Sequence, residues 1–484
     1  MTEGDVLAVA IDGACWPLVD QWIDDGQLPN IARLRDEGVW GDLESCVPPV
    51  TCPAWKCYST GKNPGKLGVF WWENLDLDRQ ESTIPTARDF TEPELWDLLN
   101  DHGISTGVVG MPLTYPPKSL DGFMVAGGPG VPDEGFARPQ SVENELKTEF
   151  DYTPRPTYPS TVEEGSKEQF VEESIEQIDR DFAVAEHLFE EYEVDFLQVC
   201  TFEINGPLQH LFYDGEPTKR AWQVIDEHVG TLAEQFETVV IHSDHGTSEM
   251  DKQFYVNSWL DREGYLSRNR SPFERLADYG VTRDNIRGAL DRVGLRKRLS
   301  NVGFLRSIAQ HIPDSSGQFG ETEGTAIFDK IDWDETRAVG LAQGPLYVHD
   351  AEMDAETYEG FREELIRELE ALEDDETGQH PVQQVFKREE IYEGPYLDDA
   401  PDLVALDAPR YHNKGGIGKR TLFGESEWRG NNARQGLYVL ADDTERGARV
   451  DAEIYDLAPT ILRLFDLPVP DDMDGTVLDP VAQT

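Results

Sequence analysis

Three polar clusters in this chain combine residue types that bind metal ions. Asp12-Gly13, the segment Glu203 to His210, and Ser243-Asp244-His245-Gly246 bring together carboxylates and imidazoles, a donor set better suited to a Zn- or Mn-like ion than to Mg alone. A fourth segment, Pro48 to Gly61, places Thr51 just before Pro53-Ala54. That is the pattern of a helix start, where free backbone N-H groups favour an anion close to the threonine hydroxyl. Each piece alone has an ordinary explanation, since Asp12 can cap a helix, His245 can bond within a turn and His210 can lie on a helix face. Their combination with Thr51 points instead to a metal-assisted site that handles an anion.

Such residues need strand ends to hold them. Asp5 to Ile11 reads as a buried strand and Leu28 to Gly38 as a helix closed by its glycine. Thr91 to Glu94 reads as a capping box opening a helix through Leu98-Leu99, ended at Gly103 and followed by the strand Ser105 to Gly110. Val171, Ile175, Ile178, Phe182, Ala185 and Phe189 form one apolar stripe, with the strand Asp195 to Thr201 behind it. Trp222, Ile225, Val229, Leu232 and Phe236 form another, leading into the strand Thr238 to His242, on which His242 is buried. Strands alternating with helices predict an α/β fold with a mostly parallel central sheet covered on both faces. Asp12, the 203–210 segment and 243–246 each follow a strand, so they converge on its carboxyl edge.

From about Asn257 to Lys387 the rhythm changes. Basic helical stretches near Arg283 to Arg306, a Ser/Gly/Glu-rich loop near Ser315 to Gly324 and an acidic helix from Ala355 to Leu372 predict an inserted cap domain over 257–387, between core parts 1–256 and 388–484. The sheet is expected to resume at Pro401 to Leu406 and at Gly436 to Leu440, before a helix from Ile454 to Phe465.

Asp and Glu number 95 against 42 Lys and Arg, a formal charge of -53 in 484 residues. The acid is spread along the chain with only short runs such as 373–376, which suits the solvated surface of a halophilic protein rather than an acidic tail for a basic partner. At molar salt the Debye length is about 3 Å and self-repulsion is screened. Such a chain repels nucleic acid and anionic membranes, and no apolar run approaches ~18 residues. The expectation is a soluble cytoplasmic protein without membrane insertion or nucleic-acid scaffold binding, and with nothing that sets an oligomeric state. Cys15, Cys46, Cys52, Cys57 and Cys200 lack C-x-x-C spacing and are expected to be reduced thiols.

The order Asp12-Gly13, Gly26-x-Leu28-Pro29-Asn30, Pro49-x-Thr51-x-Pro53-Ala54-Trp55 with Thr60-Gly61, Gln209-His210, Ser243-Asp244-His245-Gly246 and Pro401-Asp402-Leu403 resembles the archaeal and bacterial type I phosphodiesterase/nucleotide pyrophosphatase family of the alkaline phosphatase superfamily. Pro112-x-Thr114-Tyr115-Pro116-Pro117, Val256-Asn257-x-Trp259-Leu260 with Gly264-Tyr265-Leu266, and Asp456-Leu457-Ala458-Pro459-Thr460 extend the likeness over almost the whole chain. The resemblance implies an αβα sandwich with two metal ions at the carboxyl edge of its sheet. Asp12, Thr51, Asp244 and His245 match the ligands of one ion, and His210 matches one ligand of the other. It further implies in-line attack by Thr51 on a phosphodiester, pyrophosphate or phosphomonoester of a small molecule or glycan, a phospho-threonine intermediate, and hydrolysis by metal-activated water. A threonine hydroxyl is a poor nucleophile at neutral pH, so its alkoxide needs a metal and the leaving oxygens need a second charge.

The chain departs from the family at the second ion. An aspartate is usual one turn before the histidine matched by His210, where Pro207 stands here with Asn205 and Glu203 as the nearest polar candidates. Asn432 replaces a late histidine, and Leu67 stands where another histidine is usual. Neutral amides bind Zn or Mn less well than carboxylate or imidazole. The expectation is one tight divalent ion and a second that is weak, absent or replaced by a basic side chain. Lys56, Lys62, Arg429 and Arg434 are candidates to neutralise phosphate, and His412 and Asn413 are weaker candidates as ligands. A sulfatase fits poorly because Cys52-Pro53 is out of register and the required arginine is missing; a cofactor-independent phosphoglycerate mutase needs a serine nucleophile. The rival from another class is a catalytically weak member that binds a phosphorylated glycan, lipid head group or partner protein, with Asn205 and Asn432 as its support.

Overall fold

The computed structural model of the protein describes residues 4–77, 79–128, 130–154, 167–269, 330–349, 353–419, 421–442 and 447–478. Gly4–Ile11 lies within a ten-stranded sheet, between Phe236–His242 on one side and Phe196–Thr201 on the other. Thr106–Pro112 and Gly122–Gly127 continue it, so five neighbouring strands run parallel. Gln435–Ala441 joins Phe236–His242 antiparallel, and Val39–Glu44 follows it.

The sheet is buried on both faces, and the first strand shows why its sequence is apolar almost throughout. Leu7, Val9 and Ile11 pack against the helices Trp16–Asp24, Pro29–Glu37, Gln140–Glu149, Lys167–Tyr192 and Glu216–Ala233. Val6, Ala8 and Ala10 face the opposite layer, where Thr51–Thr60, Leu95–Asp101 and Leu457–Leu464 lie. Each fully buried Val, Leu, Ile or Phe contributes about 1.5–3 kcal/mol. The stripe from Val171 to Phe189 is therefore a major tether of its helix.

Three local readings change. Phe236 is not the end of its helix but the first residue of the following strand, because the helix stops at Ala233. The capping box is formed by Glu94 and Asp97 rather than at Thr91, and the helix starts at Leu95. The segment expected to rejoin the central sheet at 401–406 does not. Leu403–Asp407 pairs antiparallel with Val382–Lys387 and Pro345–Val348, completing a separate four-stranded sheet with Ala338–Gly340. The large sheet is re-entered only at Gln435. The helix Ala355–Glu370 forms as expected; the basic stretches at 283–306 and the loop at 315–324 lie outside the described residues.

A third sheet links these parts. Gly246–Tyr255 pairs with Arg410–Lys414 in parallel and with Phe423–Glu425 and Gly430–Ala433 antiparallel. Among the described residues no helix is long and apolar enough to cross a membrane.

Candidate metal and active site

The carboxyl ends of three adjacent parallel strands deliver the polar clusters to one place. Asp12 follows Gly4–Ile11, and Asp244-His245 follow Phe236–His242. Gly13 adopts φ 70°, and a side chain there would meet Asn205 Cγ at 2.5 Å, so only glycine lets the chain turn here. The Gly13 N-H then donates to Asp244 Oδ1 at 3.1 Å, and the His245 N-H donates to the same oxygen at 2.9 Å.

This leaves a set of carboxylate oxygens without a partner, facing one imidazole nitrogen. Asp12 Oδ1 and Oδ2 and Asp244 Oδ2 are buried without a hydrogen-bond partner. His245 Nδ1 donates to the Gly246 carbonyl at 2.9 Å, which leaves its Nε2 as a lone pair 3.6 Å from Asp12 and 3.2 Å from Asp244. Ligand atoms of Asp12, Asp244 and His245 all lie within 4.8 Å of one another. Burial first, and then the charge of Asp244, push the Asp12 carboxyl well above its usual range. Two buried carboxylates, a correctly oriented imidazole and orphaned oxygens fit a divalent cation.

Thr51 is the first residue of its helix, with Val50 as N-cap, and its Oγ1 lies 3.1 Å from His245 Nε2. The hydroxyl thus sits at the same nitrogen, at a helix end whose backbone N-H groups attract anions.

His210 reaches the site by an unexpected route. Its segment opens with a π-helical turn, Ile204–Gln209, with Pro207 inside, in which the His210 N-H bonds to the Asn205 carbonyl. This i→i+5 bond brings Asn205 under His210, where an α-helical turn would bring the residue after it. Burial depresses His210 to about 3, so the ring is neutral. Its Nε2 lies 3.0 Å from Asn432 Oδ1, an oxygen that can only accept, so Nε2 carries the proton. Asn432 Nδ2 meets His245 Nε2 at 3.0 Å and the Pro49 carbonyl at 3.0 Å. Asn205 Oδ1 accepts from Thr247 at 3.0 Å and Gln209 at 3.3 Å. Glu203 stands apart from the Asp12, Asp244 and His245 cluster, its carboxyl lifted to about 8 by burial and by Asp181.

The type I phosphodiesterase / nucleotide pyrophosphatase profile matches residues 6–432. The chain belongs to this family. Members are metal-dependent phosphoesterase-like hydrolases, and this chain carries a candidate acidic and histidine metal site. Among solved structures, phosphonoacetate hydrolase from Sinorhizobium meliloti 1021 in complex with phosphonoformate superposes with a TM-score of 0.58 at 15% identity, covering 94% of each chain. The same enzyme with phosphonoacetate gives 0.57 at 14% identity, again covering 94% of each chain. At this identity the likeness establishes the alkaline-phosphatase-like fold. No curated protein matches.

The cations expected to neutralise phosphate lie instead beside carboxylates. Lys56 is buried on Glu94 at 2.6 Å, Lys62 pairs with Glu92 and Asp472, Arg434 meets Glu44 at 2.7 Å and Arg429 lies 3.7 Å from Glu249. None lines the cavity that opens on Thr51. That cavity, about 350 Å3, is walled by Trp71, Trp72, Phe202 and Trp428, which the sequence reading passed over, with His412 and Lys414 beside them. The Trp71-Trp72 doublet was the available signal. His412 is held by Asp407 at 3.3 Å, Asn413 is buried, and His242 is buried against Tyr58 with ring centres 4.0 Å apart.

Proposed function

We propose that the protein is a hydrolase of phosphodiester, pyrophosphate or phosphomonoester bonds that uses Thr51 as its nucleophile and holds one divalent ion tightly. The observation that carries this reading is Thr51 Oγ1 at 3.1 Å from His245 Nε2, beside the orphaned oxygens of Asp12 and Asp244. Asp12, Thr51, Asp244 and His245 would hold the ion, and their mixed donors favour Zn or Mn. When bound it supplies a Lewis acid that favours the threonine alkoxide.

The chain's own residues do the rest. The helix N-terminus at Thr51 orients the phosphoryl oxygens, the Gly246 carbonyl fixes the His245 tautomer, and the aromatic cavity excludes water around the leaving group. The amides of Asn205 and Asn432 already bond within the protein, so His210 has no second charged ligand, which supports a single tight ion.

Thr51→Ala is expected to remove nearly all turnover of chromogenic phosphodiesters, phosphomonoesters and phosphonate esters, with Thr51→Ser retaining part. Full activity in the alanine variant rejects the nucleophile assignment. A protein that binds a phosphorylated glycan tightly but turns over none of these esters, with metal in excess, supports the weak-binder reading that the two amides suggest.

A further inference from the structure

The cavity beside Thr51 contains a cation that forms no ion pair among the described residues. Several lysines elsewhere among the described residues are committed to carboxylates: Lys56 to Glu94, Lys118 to Glu94 and Asp97, Lys252 to Glu376. Lys414 pairs with no carboxylate among the described residues. Its Nζ stands 4.5 Å from the centre of the Trp428 ring, and both side chains line the cavity. A partly buried ammonium set against an indole face loses hydration without gaining an ion pair, a deficit that a bound anion removes.

Position says which part of a substrate that anion belongs to. Thr51 contacts His245 at 3.1 Å, His245 meets Asn432 at 3.0 Å, Asn432 meets His210 at 3.0 Å, and Trp428 lies on His210 with ring centres 5.1 Å apart. Lys414 comes next, at the far end of this series of contacts, and lines the same cavity as Thr51. In an in-line displacement the leaving oxygen departs away from the attacking one. The walls here are flat and apolar. Trp72 and Phe202 meet edge to face at 6.4 Å, and Trp428 lies within 23° of parallel to His210. Such surfaces favour planar apolar groups. Glu73 also lines the cavity, with one carboxylate oxygen accepting from the Ser82 hydroxyl.

We propose that this cavity receives the substrate's leaving group and that Lys414 selects leaving groups that are planar, apolar and themselves negatively charged, as an aromatic carboxylate is. The proposal rests on the hydrolytic reading above and names its substrate class.

Binding can be tested without turnover, because three indoles line the cavity. Tryptophan emission of the full-length protein, at constant salt, is titrated with 4-hydroxybenzoate, phenol and choline. We expect 4-hydroxybenzoate to bind about tenfold more tightly than phenol, as a charge-assisted contact in a partly buried site allows. Lys414→Met should abolish that difference while leaving phenol binding unchanged, and Lys414→Arg should keep most of it. Equal binding of the two probes overturns the proposal, and so does a preference for choline, which would make Glu73 the selecting charge.

Turnover of 4-carboxyphenyl phosphate and phenyl phosphate supplies the second arm. Lys414→Met should lower kcat/KM for the carboxylated ester alone. An equal loss on both esters places Lys414 on the transferred phosphoryl group and overturns the leaving-group assignment. A protein that discriminates the probes yet hydrolyses neither ester, nor any chromogenic phosphodiester or pyrophosphate with metal in excess, supports the selectivity of Lys414 and rejects the hydrolytic reading.

Discussion

Asn432 joins the two halves of the site. Its oxygen accepts from His210 while its nitrogen faces His245, so a neutral amide stands between two imidazoles. Asn432→His offers a lone pair where the amide now bonds, and tightly held Zn or Mn should rise from one towards two equivalents per chain in elemental analysis after dialysis. Two equivalents in the unaltered protein would show that the amides do not exclude the second ion. Lys56 makes a contrasting case. Its ammonium and the Glu94 carboxylate are 2% and 3% exposed; removing one partner of such a pair costs about 3–5 kcal/mol where the other charge is stranded, and less here because Lys118 also reaches Glu94 at 3.0 Å. Lys56→Met should lose stability, by less than that range, in denaturant titrations while the folded fraction keeps its activity. An unchanged midpoint with lost activity would return Lys56 to the substrate. Residue identities at 12, 51, 244 and 245 were legible because each follows a strand or opens a helix. The partner of Lys56 was not, since Glu94 lies far along the chain and pairing depends on tertiary structure.

At the scale of elements, the π turn at Ile204–Gln209 explains why spacing alone misjudged the approach to His210: Asn205 is one residue too early for an α-helical turn. Gly13→Ala tests how tightly that turn is packed. The substitution combines a φ of 70° with contacts of 2.5 Å to Asn205 and 2.7 Å to Thr247. It should cost about 1 kcal/mol or more and displace Asn205, visible as a lower midpoint and weaker metal retention. A second test concerns the helix Lys167–Tyr192 against the chain just after Phe196–Thr201. Burial lifts Asp181 to about 7, and burial with the charge of Asp181 lifts Glu203 to about 8. The folded state holds these protons more tightly than the unfolded chain. Their contribution is full below about pH 4, the unfolded carboxylate value, and is lost as pH rises through 7 to 8. Melting temperature should therefore fall between pH 6 and 8.5, and fall less in Asp181→Asn; equal slopes would exclude this pair as the cause. The core strands and helices were readable from apolar periodicity. The placement of Leu403–Asp407 was not, because an apolar strand satisfies either sheet and only long-range pairing decides.

For the whole molecule, charge is the dominant fact. With a formal charge of -53, even a folded surface whose cations are mostly paired keeps a large excess of carboxylate. Circular dichroism melts between about 0.1 M and molar salt, over which the Debye length shrinks from about 10 to 3 Å, should show a rising melting temperature. Equal melting temperatures throughout would remove self-repulsion as a factor. This property needs no structure to read, since summed charge is independent of fold. The five buried thiols also agree with the sequence reading, all of them free.

The strand Gly246–Tyr255 has a consequence for how such an enzyme changes over generations. It begins directly after His245, and it pairs Thr247 with Asn432, Gln253 with His412 and Tyr255 with Lys414. Side chains two apart on a strand share a face, so His412 and Lys414 present themselves together while the backbone ladder stays fixed. Replacing either alters what the cavity admits without shifting the ladder that carries His245. Substrate preference can drift by single substitutions while the chemistry is inherited intact. A one-residue slip in register would forfeit both together, which leaves substitution, rather than insertion or deletion, as the open path for divergence along these strands.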